Sequence, residues 1–184
     1  MKTTALSKIF SVILTSSVAI GVLGCGGGGG AAGDSKSPSG GSGGLVGNPA
    51  PDFTLESLNG AGKAGVAAWK GKVIIVDFWA TWCEPCKKSF PKLQELSTKY
   101  KASGLEIVGV SEDDENTGIK EFGATYGAKF PLVWDKDKSV AGKWKPASMP
   151  GSFIVDRKGV VRYVHTGFHP GDEAELDKEI KSLL

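Results

Sequence analysis

Val73-Ile74-Ile75-Val76-Asp77-Phe78-Trp79-Ala80-Thr81-Trp82-Cys83-Glu84-Pro85-Cys86-Lys87-Lys88-Ser89-Phe90-Pro91 is the stretch that decides the fold. Its first half, Val73 to Trp79, is a short apolar run rich in β-branched residues, which predicts a buried strand. Its second half is Cys-Glu-Pro-Cys followed by a helical pattern. Two cysteines three apart at the start of a helix share one face, inside the window of about 4.4–6.8 Å between Cα atoms that a disulfide requires. The first of them, Cys83, sits where unpaired backbone N–H groups and the helix dipole favour an anion, so its thiolate is stabilised. Strand, turn, dithiol and helix in this order are what disulfide exchange needs.

The string from Val76 to Cys86 resembles the active-site segment of the thioredoxin family, and Pro91 is similar to the proline inside that family's active-site helix. Trp82 to Pro91 is most similar to the membrane-anchored TlpA/ResA-like thiol-disulfide oxidoreductases, with a likeness running from about Asn48 to the C-terminus. The resemblance implies a thioredoxin-like α/β fold: a central mixed sheet flanked by helices, with an N-terminal extension. Because the span from Cys86 to Pro150 is longer than the minimal fold uses, it also implies an inserted helix and strand between Asp113 and Trp134.

Outward from this segment, Asn48 to Leu55 is held extended by Pro49 and Pro51, similar to the lead-in of TlpA/ResA-like and peroxiredoxin-like domains. Lys70-Gly71-Lys72 turns into the central strand. Phe90, Leu93, Leu96 and Tyr100 give the helix after the dithiol one apolar face, and Glu95 and Lys99 form an i,i+4 pair on the other. Leu105 to Val110 reads as a strand. Asp113, Asp114 and Glu115 open a second helix running to about Tyr126. A strand over Phe130 to Trp134 and a short helix over Ser139 to Trp144 follow. Met149-Pro150 resembles the family's cis-proline turn, entering a strand with Phe153 in the core. Lys158-Gly159 makes a hairpin with Val160 to Val164. Asp172 and Glu175 form a capping-box-like start to the last helix, whose buried face is Leu176, Ile180 and Leu183.

Residues 1–24 read as a bacterial lipoprotein signal peptide: Lys2 and Lys8 at the start, then the apolar run Ile9 to Leu23. That run is short and broken by Ser11, Thr15, Ser16 and Ser17, so a membrane span is the weaker reading. Val22-Leu23-Gly24-Cys25 resembles a lipoprotein box, with Leu23 where a small residue is usual. Lipidation of Cys25 accounts for the odd cysteine among the three. Residues 25–47, rich in Gly and Ser, form a flexible tether; twenty such residues reach about 25 Å. Residues 48–184 are the thioredoxin-like domain, the size of one ordinary domain. The expected location is extracytoplasmic, lipid-anchored to a bacterial membrane.

Charge excludes one class of partner. The 22 basic residues less Lys2 and Lys8 match the 20 acidic ones, so the mature chain is neutral and no basic stripe supports nucleic-acid binding. The glycines of the tether have no strand before them and no helix after, so they are not a phosphate cradle. No motif calls for a cofactor.

The candidate site follows from these residues. Cys83 is the nucleophile and the more exposed sulfur; Lys87 favours its thiolate and Glu84 opposes it. Cys86 resolves the mixed disulfide. Pro85 restricts the turn, and Glu84 with Pro85 tunes the redox couple. Asp77, desolvated among Ile75, Val76 and Phe78, has a raised pKa suited to exchanging a proton with Cys86, the role the resemblance implies; the competing reading is an acid at the strand end meeting water. Trp82 offers partners a flat surface, or else packs in the core. Met149 and Pro150 face the dithiol and pair with bound peptide, again by resemblance. The implied partners are protein disulfide or dithiol substrates and a membrane electron donor, with cytochrome c maturation the family's common task.

Two rival chemistries are weaker. Cys83, Cys86, His165 and His169 nominally supply four zinc ligands, but His165 lies far down the chain, whereas zinc fingers separate their pairs by about a dozen residues. A copper-binding relative of the same fold typically spaces its cysteines by three residues, where here there are two. His165 and His169 therefore read as surface residues of a strand–helix loop, with no metal site. A peroxiredoxin-like antioxidant needs a proline and a hydroxyl shortly before its cysteine; Val76 to Trp82 has no proline, and Ala80 stands in the hydroxyl's place.

Overall fold

The structure, a computed structural model, describes residues 43–60 and 62–184. The expected signal peptide, Cys25 and most of the tether lie outside the described residues. No helix among the described residues is long and apolar enough to cross a membrane.

A five-stranded mixed sheet forms the centre, with strands β3 (Val73–Trp79), β4 (Leu105–Ser111), β5 (Leu132–Trp134), β6 (Gly151–Val155) and β7 (Val161–Thr166) in the order β5-β4-β3-β6-β7. β3 pairs parallel with β4 and antiparallel with β6, so it is hydrogen-bonded on both edges, and all seven of its residues are buried. That is why this strand reads as an apolar run broken only by Asp77 and not as an alternation. Ahead of it, β1 (Leu55–Glu56) and β2 (Lys63–Ala64) make a small hairpin. The lead-in is tied to the far side of the sheet by a bridge between Pro49 and Val160.

Alternation along β3 sorts the core into two layers. Val73, Ile75 and Trp79 face α1 (Glu84–Tyr100) and α4 (Asp172–Leu183), packing with Phe90, Leu93, Leu96, Leu176 and Ile180. Ile74, Val76 and Phe78 face the other way, toward α3 (Ser139–Trp144), where Trp144 meets Phe53, Phe78 and Phe153 in edge and tilted contacts. Gly109 sits mid-β4 because a Cβ there would lie 2.8 Å from Leu132 Cδ2 and 2.9 Å from Trp79 Nε1. The inserted elements are α2 (Ile119–Thr125) and β5, the latter extending the sheet at its edge beside β4.

Several local expectations are corrected. α2 begins at Ile119, not near Asp113, because Asp113 spends its carboxylate on a neighbouring loop and Gly118, at φ 86°, forms the actual boundary. Glu95 pairs with Lys92 at 3.1 Å, while Lys99 reaches Asp177 on α4 at 2.5 Å. At the start of α4 the capping box is not made: Asp172 takes the His169 N–H at 2.7 Å and Glu173 takes the Gly171 N–H at 3.0 Å. β7 continues through Thr166, which puts His165 on a strand and not in a loop. His169 does lie in the loop, exposed.

Candidate active site

Where β3 ends, Ala80 and Thr81 lead into the dithiol. Cys83 is the N-cap of α1, with extended backbone (φ −79°, ψ 106°), and Pro85 falls within the first turn, where its missing N–H costs the helix nothing. Cys83 and Cys86 form a disulfide with Cα atoms 5.3 Å apart. The Cys86 N–H points back at the Cys83 carbonyl (3.2 Å) and at Cys83 Sγ (3.3 Å). A donor aimed at that sulfur stabilises negative charge on it once the bond is reduced. Pro91 lies inside α1 and removes the N–H that would reach back to Lys87.

Cys86 is fully buried and Cys83 is only 4 % exposed, so Cys83 is the more accessible residue by a narrow edge and far from open to solvent. Trp82 beside it is 68 % exposed, the largest exposed apolar side chain among the described residues, which overturns the core-packing reading of this residue. Glu84 and Lys87 are engaged with each other at 2.7 Å on the outside of the helix. The Lys87 bond and charge hold the Glu84 carboxyl below its usual range, and the lysine is directed to the carboxylate.

Asp77 is completely buried, which removes the reading of an acid meeting water at the strand end. Strand parity places it on the same face as Ile75 and Trp79, the face covered by α1 and by Cys86. Register puts it opposite Ser152 of β6, whose hydroxyl donates to Oδ1 at 2.5 Å; Oδ2 has no partner among the described residues. Burial pushes its pKa up from 3.8 to about 7, against the opposing effect of the Ser152 bond.

The Met149–Pro150 bond is cis, and the Pro150 carbonyl accepts the Gly167 N–H at 2.8 Å. Gly151 pairs with Phe78, which sets this loop at the same end of β3 as the dithiol. Pro150 itself is buried, and half-buried Met149 packs against the cluster that contains both cysteines.

Asp113 is a site residue that sequence reasoning misassigned to a helix start. Its buried carboxylate accepts the Thr81 N–H (3.0 and 3.1 Å), the Thr81 hydroxyl (2.7 Å) and the Ser111 hydroxyl (2.8 Å), clamping the turn two residues before Cys83. The Asp113 carbonyl in turn accepts Trp134 Nε1 at 2.8 Å and Lys138 Nζ at 2.7 Å. Only the parallel register of β3 and β4, with Trp79 opposite Ser111, brings Asp113 to Thr81. Next to it, burial pushes Glu112 up to about 7, helped by the charges of Asp135 and Asp113 and opposed by Lys138.

His165 contacts Glu179 of α4 at 2.6 Å. Burial alone would depress its pKa, but the Glu179 bond and the charges of Glu179, Glu175 and Asp172 outweigh it and hold the imidazole above its ordinary value. Among the described residues no three of His, Cys, Asp and Glu come together as a metal-binding group.

A buried strand delivering a Cys-x-x-Cys pair to a helix N-terminus, on this sheet order, defines a thioredoxin-fold protein with a disulfide at the start of α1. Residues 46–164 match the AhpC/TSA family. The chain is 38 % identical over 116 residues to the thiol-disulfide oxidoreductase ResA of Bacillus thuringiensis, covering 63 % of this chain and 66 % of that protein. It is 37 % identical over 121 residues to ResA of Bacillus subtilis, covering 66 % and 67 %. A structure from Chlorobium tepidum, named as the thiol:disulfide interchange protein DsbE, superposes with a TM-score of 0.70 at 35 % identity, over 75 % of this chain and 96 % of that one. The chain belongs to the AhpC/TSA family and is related to the ResA proteins. The match spans just under two thirds of the Bacillus thuringiensis relative's own length.

Proposed function

We propose that this chain reduces protein disulfides outside the cytoplasm, tethered to a bacterial membrane by a lipid on Cys25 and recharged by a membrane electron donor. The observation that carries the reading is the Cys83–Cys86 pair at the N-cap of α1, with the Cys86 N–H aimed at Cys83 Sγ. The Cys83 thiolate attacks one sulfur of a substrate disulfide. That bond breaks, a mixed disulfide forms, and the first substrate thiol leaves with a proton. Cys86 then gives its proton to the Asp77 carboxylate and attacks the Cys83 sulfur: the Cys83–Cys86 bond forms and the bond from Cys83 to the substrate breaks. The second substrate sulfur leaves as a thiol as Asp77 gives up that proton, the first having taken its proton from solvent. The substrate gains two electrons and two protons, and the chain is left oxidised until the donor returns two of each. Its burial and its place on the face under α1 suit Asp77 to this step. Exposed Trp82, with Met149 and Pro150 at the same end of β3, gives a substrate segment a surface to lie on. Apocytochrome c is the proposed client.

The test uses a peptide disulfide as substrate. The reduced protein is expected to reduce it stoichiometrically, Cys86→Ser to accumulate a mixed disulfide through Cys83, and Cys83→Ser to do neither. A trapped adduct through Cys86 in the Cys83→Ser protein, with none through Cys83, overturns the assignment. A strongly negative potential for the couple supports reduction, and one near that of known oxidants refutes it.

A further inference from the structure

The strand register makes the domain bipolar. β3 spans seven residues, so its two ends are about 20 Å apart at about 3.3 Å per residue. The dithiol, Trp82 and the loop after β4 sit at its C-terminal end. At its N-terminal end lie the Lys70-Gly71-Lys72 turn, the Lys101 end of α1 and, because β6 is antiparallel, the Asp156–Val160 hairpin turn. The chain also enters the domain there: Gly47 N–H bonds the Val161 carbonyl and Ala50 N–H bonds the Gly159 carbonyl, both at 2.8 Å.

That entry pole is basic. Lys70, Lys72, Lys101 and Lys158 are exposed, and among the described residues none has a carboxylate within ion-pair distance. A cavity lined by Trp69, Lys70, Lys72, Arg157 and Lys158 opens on it, and half-buried Trp69 adds an amphipathic ring. The acids lining it are Asp52 and Asp156, and Asp156 is occupied by the Lys158 and Val160 N–H groups and by Arg162. The dithiol pole is mixed in charge: Asp114, Glu115 and Lys88 are exposed, Glu84 is paired with Lys87, and Lys138 reaches the Asp113 carbonyl.

We propose that the entry pole is a docking surface for an anionic lipid bilayer, which turns the dithiol pole outward toward its substrates. The inference rests on the reading that the chain is lipid-anchored ahead of the domain. A Gly- and Ser-rich tether keeps the domain near the membrane without selecting an orientation; the charge asymmetry selects one. Juxtamembrane lysines are drawn to anionic headgroups over a Debye length, and the mixed charge of the dithiol pole offers no comparable attraction.

The experiment takes the full chain with neutral phosphatidylcholine vesicles and with vesicles containing phosphatidylglycerol, and maps lysine acetylation by mass spectrometry. On anionic vesicles Lys70, Lys72, Lys101 and Lys158 are expected to react at least about fivefold more slowly than without vesicles, with Lys87 and Lys88 unchanged. Raised salt and the double substitution Lys72→Glu, Lys158→Glu are expected to abolish that protection at Lys70 and Lys101. Binding to both vesicle types without differential protection overturns the docking surface and leaves the anchor standing. Binding with protection on anionic vesicles alone supports the docking surface and removes the anchor. No binding to either removes both.

Discussion

Replacing Asp77 by Asn tests the reading of the buried acid. Asp77 is wholly buried, has one hydrogen bond on one oxygen, and titrates near 7 in the folded chain against 3.8 ordinarily. Between those two values the folded chain holds a proton that the unfolded chain has released. Stability therefore falls as pH rises through this window, and the penalty is complete above about 7. A difference of about three pH units corresponds to about 4 kcal/mol. Asparagine has no charge to bury, but leaves part of its amide unpaired at a cost of about 1–3 kcal/mol. Asp77→Asn is thus expected to be more stable than the parent by about 1–3 kcal/mol near pH 8.5, with the gain vanishing and reversing near pH 4. Urea denaturation of the two oxidised proteins across that range measures it, since the cysteines do not titrate in the disulfide. Glu112 also titrates near 7, but it is present in both proteins and cancels in the comparison. A stability difference that does not grow with pH would falsify the assignment of a charge-penalised Asp77. In turnover, the same variant is expected to slow resolution of the mixed disulfide while leaving the first attack by Cys83 unchanged.

Asp113→Ala strands the Thr81 N–H and hydroxyl and is expected to lower stability by about 2–4 kcal/mol. It is also expected to slow alkylation of reduced Cys83, and the milder Thr81→Val to do so by a smaller factor; unchanged alkylation in both would show that the clamp does not position the nucleophile. Trp82→Ala, at an exposed position, is expected to shift stability by less than about 0.5 kcal/mol. Its KM for a protein disulfide is expected to rise while reduction of a small disulfide is unaffected, and an equal effect on both substrates would argue against a docking role.

The sequence by itself determined the local elements whose cause is local. Val73 to Trp79 reads as a buried strand because both its edges and both its faces are covered, which leaves Asp77 as the one polar position in an otherwise apolar run. Cys83 and Cys86 read as a pair at a helix start because helical spacing alone puts them on one face. Phe90, Leu93, Leu96 and Tyr100 mark the buried face of α1 for the same reason. Tertiary structure decided whatever depends on which strands become neighbours. Asp113 carries an N-terminal helix signal in its own segment, and only the β3–β4 register offers its carboxylate the stronger partner in Thr81. Lys99 finds Asp177, and not Glu95, because α1 packs beside α4. Ser152 reaches Asp77, and His165 reaches Glu179, across contacts between segments far apart in the chain. Hydrogen bonds and ion pairs of this kind are chosen by distance in space, and spacing along one segment carries no record of them.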